Sequence, residues 1–428
     1  MKVYKFPDGF FWGTAVASHQ VEGNNTNNDW WEFEKQGKVR DGQVSGIACD
    51  FWNRYEDDIK LMKELNNNAF RFSLEWSRIE PRTGYFDDSA IEHYRKIIVR
   101  LRENNIEPFV TIHHFTNPLW ISKEGGWLNP NTIDYFLRYT EKVAKSFKDL
   151  VKYWITINEP NAYAFTSYAM GMFPPQEKSI IKMLKVLNNM VKAHGKAYAI
   201  LHENIPDSKV SIAYNVMVFD PIRENSYVDR KIQRFLDNLY NLTFINAIIN
   251  GKFSSPFIKE DIPYVKNTLD YLGINYYTRV RVGFSLKDFP YFIKQYVPED
   301  VERSDFGWEI YPEGFYRVLK RFWDMTHIPI IVTENGISDA KDAKRPKFLI
   351  SHLLQLYRAI EDGVKVEGYL HWSLMDNFEW AEGFYQRFGL FEMDYNTLER
   401  KWRESAKIYK NIVENNGISE DIIKQYLG

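Results

Sequence analysis

The chain has 428 residues, enough for one large barrel with insertions or for two to three smaller domains. Its 55 Lys and Arg residues nearly balance its 57 Asp and Glu residues, and the formal net charge of −2 excludes the basic footprint typical of nucleic-acid-binding proteins. No apolar run approaches the ~18 residues that a membrane helix needs. A turn signal at residues 6–9 stands where a signal peptide would be apolar.

The chain contains one cysteine, Cys49. A single cysteine excludes an internal disulfide and a Cys-rich metal cluster, and it is compatible with a reducing compartment. The His, Cys and Asp residues do not have the spacing of metal ligands. We therefore expect a cytoplasmic protein without a metal or another cofactor.

Short β-favouring apolar segments alternate along the chain with longer segments of helical periodicity. They predict buried strands at residues 10–15, 70–74, 108–112, 153–157, 210–214, 271–275, 329–333 and 368–372. Among the helical segments, residues 135–147 carry an apolar stripe before the fourth strand. The last segment, residues 418–427, predicts a final amphipathic helix with Ser419 as its cap.

Alternating strands and helices predict a parallel sheet with right-handed crossovers. Eight such units predict an α/β fold of the closed (β/α)₈ TIM-barrel type, in which active sites lie at the C-terminal ends of the strands. An open doubly wound sheet is the alternative, but it favours a glycine-rich phosphate loop after the first strand, and the sequence has none there. Because no linker rich in Pro, Gly or Ser divides the chain, we expect one catalytic domain over residues 1–428.

Two of the predicted strands run directly into a glutamate. Glu159 ends the fourth strand in TINEP (156–160), and Glu334 ends the seventh in VTENG (332–336). A buried carboxylate is costly unless it is paired or used, and hydrolysis of a glycosidic bond uses two of them. The alternative is that both glutamates are structural and paired with arginine.

Four segments, in this order, resemble the signatures of glycoside hydrolase family 1, the retaining β-glycosidases. They are FFWGTAVASHQVEG (10–23), TINEP (156–160), VTENG (332–336) and WSLMDNFEW (372–380). The resemblance extends from about residue 6 to about residue 409. It implies a β-glucosidase-type O-glycosyl hydrolase that acts on terminal β-D-glucosides, and also on β-galactosides and β-fucosides, either as small glycosides or as short oligosaccharides.

The resemblance also implies catalytic roles for five residues. Glu334 is expected to be the nucleophile and Glu159 the general acid and base. Arg71 and Tyr277 match the family residues that contact the nucleophile, and the guanidinium should favour its charged form. Glu159, near that charge and an apolar wall, should have a raised pKa and begin protonated. Asn158 is expected to bond the 2-hydroxyl of the sugar.

Sugar recognition is assigned by the same resemblance. The implied contact residues are Gln20, His114, Asn158, Asn275, Trp372, Glu379, Trp380 and Phe388. Trp372 would be the floor under the ring, and Glu379, near O6, predicts repulsion of 6-phosphorylated sugars. Without the resemblance, His114 would be interpreted as a core histidine and Trp372 as a packed aromatic.

Two other functions remain open from the sequence. A non-catalytic sugar-binding barrel would not need both Glu159 and Glu334, so their presence argues against it. An enzyme that acts mainly as a transglycosylase would use the same residues. A homo-oligomer also remains open.

Overall fold

The computed structural model describes residues 2–288 and 292–428. Eight parallel strands form a barrel: β1 (Phe11–Ala15), β2 (Ala69–Ser73), β3 (Glu107–His113), β4 (Tyr153–Asn158), β5 (Lys209–Pro221), β6 (Leu272–Phe284), β7 (Ile330–Asn335) and β8 (Val366–Trp372). They pair in the order β6-β7-β8-β1-β2-β3-β4-β5, and β5 also pairs with β6. This last pairing closes the sheet, so the (β/α)₈ prediction is confirmed and the open-sheet alternative is wrong.

Strands β5 and β6 extend well beyond their predicted ends at residues 214 and 275. The extensions pair with each other from Val218 opposite Arg279 to Pro221 opposite Val282. A further strand, Ile293–Tyr296, pairs antiparallel with the end of β6. Because the extensions leave the C-terminal ends of the barrel strands, they form a wall that stands above this rim.

Amphipathic helices surround the barrel. The longer ones are Phe51–Glu64, Asp88–Glu103, Asn131–Phe147, Ile180–Asn204, Tyr227–Asp237, Thr243–Asn250, Pro312–Thr326, Arg345–Glu361 and Glu404–Glu414. The stripe predicted at residues 135–147 is confirmed, since Tyr139, Val143 and Phe147 are fully buried. The final helix is Glu420–Leu427, and the Ser419 side chain caps it as predicted.

Shorter elements complete the rim and the termini. Short helices lie at Ser18–Val21, Asp29–Lys35, Trp76–Ile79, Leu119–Lys123 and Pro160–Ala164, and π-helical turns at Phe165–Ala169 and Asn238–Leu242. Small antiparallel pairs join Val3–Lys5 to Gly417–Ser419, Lys252–Ser254 to Lys259–Asp261, and Phe391–Asp394 to Glu399–Trp402. The first of these pairs joins the two ends of the chain, and this is why the final helix begins at residue 420 instead of 418.

The apolar core is continuous from Phe6 to Ile418 and fills the space inside the barrel and beneath the helices. This continuity supports the expectation of a single domain, which stays a prediction. A second and smaller group, here called the outer cluster, consists of Ala162, Phe219, Leu236, Tyr240 and Val282. It lies between the extensions of β5 and β6 and the helix Tyr227–Asp237. Within the described ranges, no helix has the length and apolar composition needed to cross a bilayer.

Candidate active site

The two glutamates singled out in the sequence lie at the C-terminal rim. Glu159 follows β4 with a φ of +44°, a left-handed conformation that strains a non-glycine residue. Pro160 then opens a short helix at a position that needs no N–H. Glu334 lies within β7, which continues two residues past its predicted end and shifts register there against both neighbours.

Gly336 directly follows β7. A Cβ atom on this residue would lie 1.8 Å from the carbonyl oxygen of Trp372, so only glycine fits. The close approach brings the end of β7 against the end of β8. It therefore places Glu334 and Trp372 in one site.

One cavity of about 490 Å³ opens at this rim, and both glutamates line it. The predicted residues that also line it are His114, Asn158, Tyr277, Trp372, Glu379, Trp380 and Phe388. Gln20, Arg71 and Asn275 lie directly behind the wall and hydrogen-bond to residues that line it. The structure thus brings all the predicted site residues together. Within residues 2–288 and 292–428, no group of three or more His, Cys, Asp or Glu side chains is arranged to hold a metal ion.

Glu334 is bonded through both of its carboxyl oxygens. Arg71 Nη1 donates to Oε1 at 2.5 Å, and the Tyr277 hydroxyl donates to Oε2 at 2.6 Å. Arg71 is itself held, because Nε donates to Thr111 Oγ1 (3.1 Å) and Nη2 to Asn158 Oδ1 (2.6 Å). Burial raises the pKa of Glu334 above its usual range, and the contacts with Arg71 and Tyr277 counter that rise.

Glu159 is bonded by amides, and no arginine among the described residues donates to it. Asn275 Nδ2 and Asn215 Nδ2 both donate to its Oε1, at 2.8 and 2.9 Å. Burial, followed by the charge of Glu334, raises the pKa of Glu159 to about 7. This is the direction expected of a carboxyl group that begins its work protonated.

Asn215 is a site residue that the sequence reasoning missed. Its orientation is set by the Tyr240 hydroxyl, which donates to Oδ1 at 2.8 Å. In the same way, Thr333 Oγ1 donates to Asn275 Oδ1 at 2.6 Å. Asn215 directly follows the predicted fifth strand, so the rule that places active sites at strand ends could have found it.

Two buried polar atoms without partners among the described residues lie at the deep end, one on His114 in the cavity lining and one on Gln20 directly behind it. Asn158 Nδ2 donates to His114 Nε2 at 3.1 Å, and this bond assigns the imidazole proton to Nδ1. Burial and the charge of Arg71 hold the pKa of His114 well below its usual range, so the ring is neutral. Neither His114 Nδ1 nor Gln20 Oε1 has a hydrogen-bond partner in the described part of the chain. A free donor and a free acceptor are what a sugar hydroxyl requires.

Glu379 and two tryptophans complete the deep end. Gln20 Nε2 donates to Glu379 Oε2 at 3.2 Å. Burial and the charge of Glu334 raise the pKa of Glu379 to about 8. The rings of Trp372 and Trp380 lie nearly parallel to that of His114, each with centroids 6.0 Å apart. Below about pH 8, then, Glu379 is protonated, and exclusion of a 6-phosphate would depend on the lack of a cation, not on repulsion.

A barrel with two buried carboxyl groups, unpaired polar atoms and aromatic rings in one rim cavity defines a glycoside hydrolase type of site. Comparison with known proteins agrees, because the profile described as Glycosyl hydrolase family 1 matches residues 2–418. The chain belongs to glycosyl hydrolase family 1, and it is an O-glycosyl hydrolase of the β-glucosidase type. The resemblance stated from the four sequence segments is confirmed.

Individual relatives are similar over nearly their whole length. Beta-glucosidase A of Thermotoga maritima is 35% identical over 98% of this chain and 100% of the relative. The beta-galactosidase of Sulfolobus acidocaldarius is 32% identical, over 97% and 96%. The solved beta-glycosidase from Pyrococcus horikoshii has a TM-score of 0.93 and 41% identity, covering 99% of this chain and 98% of that one.

Proposed function

We propose that this enzyme hydrolyses terminal β-D-glycosides with retention, through a glycosyl-enzyme on Glu334 and with Glu159 as general acid and base. The observation that carries the proposal is the asymmetry between the two carboxyl groups. Glu334 is bonded by the Arg71 guanidinium and the Tyr277 hydroxyl, whereas the side chains that donate to Glu159 within the described residues are both amides. An arginine favours an anion, while burial beside that anion favours a neutral acid. A retaining mechanism requires an ionised nucleophile and a protonated general acid at the start of the reaction.

In the first step, Glu334 attacks the anomeric carbon as the bond to the leaving oxygen breaks. Glu159 donates its proton to that oxygen. Because Asn215 and Asn275 both donate to Oε1, the proton of Glu159 resides on Oε2. The products of this step are the released aglycone alcohol and an ester between the sugar and Glu334.

In the second step, the change of charge on Glu334 reverses the role of Glu159. The ester has no negative charge, so one of the causes that raise the pKa of Glu159 disappears. Glu159 then accepts a proton from water as the water oxygen attacks the anomeric carbon. The ester bond breaks, and Glu334 is restored as a carboxylate.

β-Glucosides are the first substrate class we propose, with β-galactosides and β-fucosides also accepted. The relatives named beta-glucosidase and beta-galactosidase support this range. Glu379 supports it too, since a carboxyl group at this position can bond either epimer at C4. We also propose a cytoplasmic location, because Cys49 is free and buried, as is usual for proteins of a reducing compartment.

The test is the anomeric configuration of the first product, which NMR monitors while the enzyme hydrolyses an aryl β-glucoside. We expect the β-anomer to form first. Glu334→Gly should lose turnover by ~10⁴-fold or more, and azide should restore it with an α-glycosyl azide as product. The matched control is Glu382→Gly, which removes a carboxylate that lines the same cavity and bonds Arg40. An α-anomer from the wild type, or an active Glu334→Gly enzyme without azide, would end the proposal.

A further inference from the structure

The half of the cavity that lies beyond Glu159, here called the outer half, is a wall of apolar side chains. Its members include Phe165, Met172, Met217, Phe219, Leu236 and Val280. Met172 is 53% exposed and marks the mouth, whereas Phe219 and Leu236 are each only 8% exposed. The outer half therefore leads from solvent at the mouth toward the two glutamates.

This wall is a built part of the fold. Phe219 and Leu236 belong to the outer cluster, against which Phe165, Met217 and Val280 also pack. The extensions of β5 and β6 supply Met217, Phe219 and Val280, the helix Tyr227–Asp237 supplies Leu236, and the π-helical turn Phe165–Ala169 supplies Phe165. One side of the outer cluster is therefore packed within the protein, and the other side lines the cavity.

Three polar side chains on the wall of the outer half are bonded to protein groups. Thr166 donates to the Ala162 carbonyl, Thr278 donates to the Glu309 carbonyl, and the Tyr240 hydroxyl donates to Asn215. Arg279 also lines this half, and its three nitrogens donate to Glu309 and Asp220. The exposed Gln295 and Tyr296 stand at the mouth.

This arrangement contrasts with the unpaired Gln20 Oε1 and His114 Nδ1 of the deep end. A second sugar in the outer half would lose water from several hydroxyl groups and find few partners there, which is unfavourable for each group. Binding of a hydrocarbon chain would be favourable there, because it removes apolar surface from water. The chemistry of the wall therefore selects against a sugar and for a hydrocarbon.

We propose that the outer half binds an extended apolar aglycone, so that the substrates are amphiphilic β-glycosides, a sugar joined to an alkyl chain or a comparable hydrocarbon. The inference rests on the proposed function, because it takes the leaving group to point from Glu159 into this half. Each methylene that becomes fully buried should improve binding about fourfold. Oligosaccharides are then poorer substrates than alkyl glycosides of similar length.

The first experiment measures kcat/KM for methyl, butyl, hexyl and octyl β-glucosides, kept below their micellar concentrations, beside cellobiose and cellotriose. We expect kcat/KM to rise by about two- to fourfold per added methylene across the series. Hexyl β-glucoside should exceed cellobiose by at least about tenfold. A flat alkyl series, or a preference for the cello-oligosaccharides, would overturn the inference.

The second experiment changes the wall. In Leu236→Asn the ratio of octyl to methyl kcat/KM should fall at least about threefold, and in the milder Val280→Thr about twofold. The matched control is Phe257→Asn, an apolar residue that is 65% exposed and lies outside the cavity lining. The control should leave the ratio unchanged. If the ratio is the same in all three variants, the outer half does not bind the chain.

A binding measurement separates this inference from the proposed function. Alkyl β-thioglucosides resist cleavage, so their dissociation constants from the wild-type enzyme report binding without turnover. The constant should fall with chain length, from methyl to octyl. If aryl β-glucosides are not hydrolysed at all, the proposed function fails. If they are hydrolysed but thioglucoside affinity does not depend on chain length, only the inference fails.

Discussion

The deep and outer halves of the cavity recognise different chemistry with different parts of the fold. The deep half is made at the ends of the barrel strands and holds unpaired polar atoms on Gln20 and His114. The outer half is made largely by extensions above the barrel, and the polar groups of Thr166, Tyr240 and Thr278 on its wall are bonded to protein groups. One cavity can therefore bind a sugar by hydrogen bonds at one end and a hydrocarbon by burial at the other.

The two halves also differ in what they contribute to stability. A buried polar atom without a partner costs about 1–3 kcal/mol, and a sugar hydroxyl would supply the partners that the protein does not give to Gln20 and His114. Strained backbone is found there too, since Phe115, Glu159 and Trp380 have φ values of +70°, +44° and +50°. The outer cluster, by contrast, stabilises the fold through its own packing. The following changes test this division, beginning with the largest effect.

Glu159→Gln alters the boundary between the halves. For octyl β-glucoside, whose leaving group is poor, kcat/KM should fall by about 10²–10⁴-fold because the general acid is lost. For dinitrophenyl β-glucoside, whose leaving group needs no proton, the loss in the glycosylation step should be small. The measurement is kcat/KM with both substrates, and Glu382→Gln serves as control. Equal losses with both substrates would contradict the acid role.

Gln20→Ala alters the deep half only. It removes a free acceptor and a donor to Glu379, so kcat/KM should fall roughly 10- to 100-fold. The same factor is expected for methyl and octyl β-glucosides, because the change does not touch the outer half. Gln295→Ala, at the mouth, is the matched control and should change either value less than about twofold. If the loss of kcat/KM in Gln20→Ala grew with alkyl length, the deep and outer halves would not bind their parts of the substrate independently.

A phosphate at O6 probes the deep half from the substrate side. The lining of the deep half includes Glu379 and no lysine among the described residues. Arg279 lies in the outer half and Arg71 is already bonded to Glu334 and Asn158, so the phosphate would find no free cation there. We expect an aryl β-glucoside to be hydrolysed at least about tenfold faster than its 6-phosphate. Steady-state kinetics with the two substrates measures this ratio. A preference for the phosphorylated sugar would contradict the expected exclusion of the phosphate from the deep half.

The pH dependence gives the smallest and most specific effect. Activity on alkyl β-glucosides should fall as the pH rises through about 7, because Glu159 must be protonated to act as the acid. Asn215→Ala removes a donor that favours the ionised form, so this limb of the kcat/KM profile should move to higher pH. The matched control is Thr166→Val. The Thr166 hydroxyl donates to backbone carbonyls on the same wall, so its loss should leave the midpoint of the limb unchanged. A shift of the limb to lower pH in Asn215→Ala would contradict the contact with Glu159.

Much of the fold and the deep half could be predicted from the sequence. Eight strands were expected and are present, because each is a local run of β-favouring apolar residues. Glu159 and Glu334 stand beside local signals, Pro160 and Gly336, that end their strands. The C-terminal ends of parallel strands lie at one rim of the barrel. The positions of these two residues at strand ends were therefore enough to predict that they meet.

The outer half was decided only by the tertiary structure. Strands β5 and β6 continue past residues 214 and 275 because each extension finds the other as a pairing partner, which no local pattern shows. Phe219, Leu236 and Val280 come from three separate elements, and they become one wall only when those elements pack. The raised pKa of Glu159 likewise depends first on its burial and then on the charge of Glu334, which is 175 residues away in the chain. A sequence determines local conformation and strand order, whereas burial and charge at a site depend on contacts between distant segments.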